Sequence, residues 1–208
     1  MKRRLVLLSG VAMLIFFLVS CASTKLTSVW NDAKYDGSLH NVMVVGVSEN
    51  AKKRKVFEDV FVEAFKKNGV KAISSTDVIP SEAALDKDNI KGAALKHGAE
   101  AILVTSLIQA GMSTKHGPPP TGAPTRRHYG QYSQFGTYYG MVSMQRNMAD
   151  YSDRKMRVSL QNNLYDTDTE KLIWSATSES VEPKTVREIV EQLTGPVMKN
   201  LRDSKLIR

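Results

Sequence analysis

The chain has 208 residues, a formal net charge of +8 and a single cysteine. One cysteine excludes an internal disulfide framework and a zinc-thiolate centre. The basic balance points to anionic neighbours such as lipid, lipopolysaccharide or cell-wall polymer, although scattered lysines also serve simply as a solvated surface.

Lys2, Arg3 and Arg4 open the chain, residues 5–19 are largely apolar, and small Ser20 precedes Cys21. This is the layout of an export signal. The apolar run is shorter than the ~20 residues a helix needs to cross a bilayer. Leu18-Val19-Ser20-Cys21 resembles the lipobox of bacterial lipoproteins. The resemblance implies removal of residues 1–20 and acylation of Cys21, palmitate included; two or more chains anchor stably where one binds only marginally. An ordinary secretory signal with an incidental cysteine is the alternative. Ala22 in place of Asp implies delivery to the outer membrane, facing the periplasm. Three cations leave with the leader and no acid does, so the mature chain is about +5. Export argues against nucleic acid as a partner.

Residues 21–41 read as a tether, polar and rich in turn formers. Trp30 and Tyr35 are out of place in a plain tether, so Ser28-Val29-Trp30 is expected to pack back on the domain as a short edge strand. Trp30 is also a candidate partner contact.

A single domain is expected over 42–208. Residues 42–47 form an apolar run and predict a strand buried on both faces. Ser48 is a candidate cap. A helix follows over 51–67, with Phe57, Val60, Phe61, Ala64 and Phe65 as its apolar stripe. Lys52, Lys53, Arg54 and Lys55 crowd the positive end of its dipole. That placement suits either an anion site or a solvated basic turn. Asn68-Gly69 ends the helix. A strand at 70–74, a turn at Ile79-Pro80-Ser81, a helix at 88–97 and a strand at 101–108 come next. Right-handed crossovers make these strands parallel, with helices covering the sheet. The turn Ser48-Glu49-Asn50 lacks the glycines of a phosphate-binding loop, which argues against a nucleotide-binding enzyme.

Residues 111–153 are an insertion rich in Gly, Pro and Tyr, far longer than ordinary loops. Its aromatics among small residues, Tyr129, Tyr132, Phe135, Tyr138 and Tyr139, resemble an adaptable binding surface; a poorly ordered excursion is the alternative. No metal site is expected, because His116 and His128 have no acid or thiol at ligand spacing. No cofactor is expected either. The insertion also lacks the lipid-facing alternation of a membrane hairpin.

Met156, Val158 and Leu160 alternate with Arg157, Ser159 and Gln161, which predicts a strand with one buried face running on to Tyr165. Residues 166–171 form a turn, and 172–177 return as an antiparallel partner. Asp166, Asp168 and Glu170 start like a calcium loop, but Lys171 and Thr177 stand where Gly and Glu are required. Pro183 is expected at the start of the last helix. That helix carries the stripe Val186, Ile189, Val190, Leu193, Val197 and Leu201, with a kink or break at Gly195-Pro196.

The expected fold is therefore α/β, a mixed sheet in the order β-α-β-α-β-β-β-α. Residues 44–47, the helix ending at Gly69 and the hairpin from Leu164-Tyr165-Asp166 to Ile173-Trp174-Ser175 together resemble bacterial envelope lipoproteins with a domain like that of the curli-secretion lipoprotein. Lipoprotein activators of penicillin-binding proteins and the N-terminal domain of the Tol-system propeller protein are similar. The resemblance implies binding to another envelope protein or self-assembly, without catalysis, and it carries over no site residue. Two alternatives stand beside it. One is a subunit of an oligomeric secretion or pore-like assembly. The other is a cell-envelope hydrolase, which needs a nucleophile with a base, or paired carboxylates, converging in a cleft. No local motif supplies either.

Overall fold

The computed structural model describes residues 24–48, 50–80, 84–112, 156–181, 183 and 185–208. In chain order these form β1 (Lys25–Asn31), β2 (Asn41–Val47), α1 (Ala51–Lys67), β3 (Lys71–Ser74), α2 (Ser75–Val78), α3 (Lys87–Lys96), β4 (Ala101–Met112), β5 (Met156–Asp166), β6 (Leu172–Val181) and α4 (Val186–Asp203). The strands make one mixed sheet in the order β1-β6-β5-β4-β2-β3. The α/β class and the mixed sheet are as expected.

Strand β2 lies between β3 and β4, parallel to both, and its centre is buried on both faces. β5 and β6 extend the sheet as an antiparallel hairpin on β4. β1 pairs antiparallel with β6 and closes that side as the edge strand, so the sheet begins upstream of residue 42. Registers define two ends. At the upper end β1 begins (Lys25 opposite Glu179), β6 ends, and β4 ends opposite the start of β5 (Met112 opposite Met156). At the lower end lie the β5–β6 turn and the starts of β2 and β4.

Each sheet face carries its own core. On the first face, Phe57, Phe61 and Phe65 of α1 and Val190, Leu193, Val197 and Leu201 of α4 pack on Val42, Val44, Leu103, Leu164 and Trp174. Fully burying one such large side chain contributes about 1.5–3 kcal/mol. On the second face, Ile90 and Ala94 of α3 join Met43, Val45, Ile102, Val104 and Tyr165.

Several local expectations are corrected. Asn50, not Ser48, caps α1: its Oδ1 accepts from the Lys53 N–H at 3.0 Å, while Ser48 Oγ accepts from the Asn50 N–H. Thr185 caps α4, which puts Pro183 outside the helix, and α4 runs unbroken through Gly195-Pro196. Packing of its stripe into the first core outweighs the hydrogen bond that proline removes. β4 continues to Met112, into the expected insertion, and β6 continues to Val181. The C-terminal tail packs back on the first core. Leu206 and Ile207 are buried, and the Leu206 carbonyl accepts from the Leu39 N–H at 2.8 Å.

Candidate functional site

The second face holds a polar floor between β4 and β1. Register places Trp30, Ser175, Asn163 and Val104 on one rung and Ser28, Thr177, Gln161 and Ser106 on the next. The expectation that Ser159 and Gln161 face solvent is overturned, since both are buried. Alternation of apolar and polar residues marks one wet face only when the polar side chains lack partners. Here Gln161 Nε2 donates to Ser175 Oγ at 2.7 Å and to Asn163 Oδ1 at 2.9 Å, and Gln161 Oε1 accepts from Thr177 Oγ1 at 3.0 Å. Asn163 Nδ2 in turn donates to the Tyr165 hydroxyl at 3.1 Å. On the opposite face Asn162 Oδ1 accepts from Thr105 Oγ1 at 2.9 Å. Trp30 stands at the rim of the floor, half-buried against the second core. Neighbouring Val29 is 44% exposed on the edge strand.

At the upper ends of β2 and β3 lies Glu58, with no exposed surface. Its Oε1 accepts from the Gly46 N–H at 2.9 Å and from Ser75 Oγ at 2.6 Å. Its Oε2 accepts from Ser74 Oγ at 2.6 Å and from the Thr76 N–H at 2.8 Å. Arg54 Nε lies 4.0 Å from Oε1 and has no hydrogen-bond partner of its own. The spacing also needs Gly46, where a Cβ would stand 3.2 Å from Phe57 Cδ1 and 3.3 Å from Arg54 Cγ. Four donors commit both oxygens of this carboxylate to holding α1 and α2 against the strand ends.

The acids of the β5–β6 turn do not converge. Asp166 Oδ1 accepts from the Thr169 N–H at 2.8 Å and its hydroxyl at 2.6 Å, closing a local turn. Glu170, held at φ 59°, pairs with Lys87 Nζ at 2.8 Å and Lys91 Nζ at 2.7 Å. The hydrogen bonds from Lys87 and then Lys91 hold the Glu170 carboxyl below its ordinary value. Among the described residues no three His, Cys, Asp or Glu side chains are grouped to hold a metal. In the basic turn of α1, Lys55 is paired with Asp77 and Asp59 at 2.9 and 3.0 Å, and these bonds raise its ammonium above the ordinary range. His40 lies beside Glu100 at the lower end.

Of the residues singled out from sequence, Trp30 is placed on β1. Cys21, Tyr129, Tyr132, Phe135, Tyr138 and Tyr139 lie outside the described residues, as do His116 and His128. The floor and Glu58 went unrecognised, yet both left signals. Gln161-Asn162-Asn163 is a polar triplet inside an apolar strand, and Glu58 stands three residues before Phe61, on the apolar stripe of α1. Among the described residues no helix is long and apolar enough to cross a membrane.

No family model and no curated relative matches the chain. Similar solved structures include the PelC L103M dodecamer from Paraburkholderia phytofirmans, at 14% identity and TM-score 0.44, covering 89% of this chain and 98% of that one. Lipoprotein GNA1162 from Neisseria meningitidis is similar at 12% identity and TM-score 0.42, covering 78% and 98%. A PDZ domain protein from Parabacteroides distasonis follows at 12% identity and TM-score 0.41, covering 86% and 35%.

Proposed function

We propose that the chain is a lipid-anchored envelope protein that works by binding another envelope protein or a second copy of itself, and not by catalysis. The observation that carries this reading is the β1 edge. It is a seven-residue strand with exposed Val29 one residue past its centre, and among the described residues no strand lies beyond it. An exposed edge is a ready template for an added strand. The lipobox supports anchoring through Cys21, and Ala22 supports the periplasmic face of the outer membrane. The aromatic residues Tyr129, Tyr132, Phe135, Tyr138 and Tyr139 supply a second contact region, on a segment whose two ends join β4 and β5 at the upper end. The envelope-lipoprotein resemblance fits the same reading.

An in-cell crosslinking pull-down tests it with three proteins: the intact chain, Val29→Lys on the edge, and a chain lacking residues 113–150. Envelope proteins or copies of the chain captured by the intact protein are expected to be lost from one variant or both. Identical capture by all three removes the edge and the insertion as working surfaces. Turnover of peptidoglycan fragments or phospholipid by the purified protein overturns the non-enzymatic reading.

A further inference from the structure

We infer that the domain stands end-on to the bilayer that carries its lipid, with the β1–α4 side of the sheet's upper end nearest the headgroups. This rests on the lipidation reading of Cys21. Thr24 is fixed in the fold. Its hydroxyl bonds buried Ser180 Oγ at 2.8 Å and donates to Gln192 Oε1 at 3.2 Å. Two residues separate Cys21 from Thr24, so their Cα atoms lie at most about 11 Å apart. The polar headgroup layer takes up about 5–8 Å of that distance on each side of a bilayer. Only a few ångströms then remain between Thr24 and the lipid surface. A tether reaching to residue 41 would leave orientation open, but a strand beginning at Lys25 does not.

The surface so presented is charged and hydrophilic, which suits contact with polar headgroups. Exposed Lys25 and Arg157 flank a single acid, Glu179, which Lys25 faces in register and Arg157 approaches at 3.4 Å. In the first turn of α4 exposed Arg187 stands 3.5 Å from Glu191 and next to Glu188, so cations and acids balance here and the placement rests on the short link from Cys21 to Thr24. The lower end, with the β5–β6 turn, is removed by the eleven residues of β5, roughly 35 Å of strand.

The test uses the full lipidated chain extracted from membranes and reconstituted into phosphatidylethanolamine–phosphatidylglycerol vesicles. The lipid consumes the protein's one cysteine, so a cysteine introduced elsewhere takes a fluorophore without background. Arg187→Cys reports the upper end, and Lys96→Cys, after which the chain enters β4, reports the lower end. With a headgroup spin-labelled lipid as quencher, several-fold quenching is expected at position 187 and almost none at 96. Equal quenching, or stronger quenching at 96, overturns the end-on placement while the anchor stands. If the intact chain does not float with the vesicles at all, the lipidation reading itself fails.

Discussion

Glu58 sits among the phenylalanines of α1, and its fit there depends on four donors drawn from three other elements or their ends: Gly46, Ser74, Ser75 and Thr76. Removing the carboxylate strands those donors in a buried site, and each buried unsatisfied group costs about 1–3 kcal/mol. Glu58→Ala is therefore expected to lower stability by about 3 kcal/mol or more, read as a lower urea midpoint at unchanged slope. Glu58→Gln keeps the shape but presents an NH2 to hydrogen-bond donors, so it should fall between the two. Periodicity reveals the stripe of Phe57, Phe61 and Phe65 but cannot reveal Glu58, because a glutamate on a helix ordinarily faces water. What decides its burial is the run of hydroxyls Ser74-Ser75-Thr76, sixteen to eighteen residues away. A parallel crossover brings that run alongside.

Among the elements, α3 makes a charged contact with the β5–β6 turn through the Glu170 clamp. Lys87 and Lys91 are one helical turn apart and close on one carboxylate. Because the folded Glu170 carboxyl is held below its ordinary value of 4.5, its contribution is full above that value and is lost as pH falls through the lower folded value. Partly solvated pairs of this kind contribute below about 1 kcal/mol each. The stability difference between the native chain and Glu170→Gln should then be present at neutral pH and vanish on acidification below pH ~4. Urea midpoints across that range check it, and a difference that persists in acid rejects the clamp. Strong periods made β2, α1, β4, β5, β6 and α4 legible from sequence, and the stray tryptophan marked β1. Four-residue α2 was not legible, because Ser75–Val78 carries no apolar stripe. The continuity of α4 through Pro196 was not legible either, since it is decided by Val190, Leu193, Val197 and Leu201 packing on the sheet.

At the scale of the molecule, the order of the sheet explains how a long insertion is accommodated without dividing the domain. β4 and β5 pair from Ala101 opposite Asp166 to Met112 opposite Met156, so the segment between them leaves and returns through adjacent strand ends. Topology of this kind was readable because each parallel crossover and the hairpin follow general rules. The reach of β4 past the expected boundary at 111 was not readable, since Gly111 and Met112 gain strand structure from partners more than forty residues later. A hairpin with matched ends needs only a two-residue turn. Replacing residues 113–155 by Asn-Gly should therefore yield a chain that folds, with Trp174 still buried and its indole N–H bonded to Asn200 at 2.9 Å. Shortening the loop lowers closure entropy by roughly 2–3 kcal/mol on a logarithmic scale, so the thermal midpoint should not fall. Cooperative unfolding followed by Trp fluorescence and far-UV circular dichroism checks this. A broad or absent transition would show that the insertion contributes to the core, and would shift the search for partner contacts from that segment to β1.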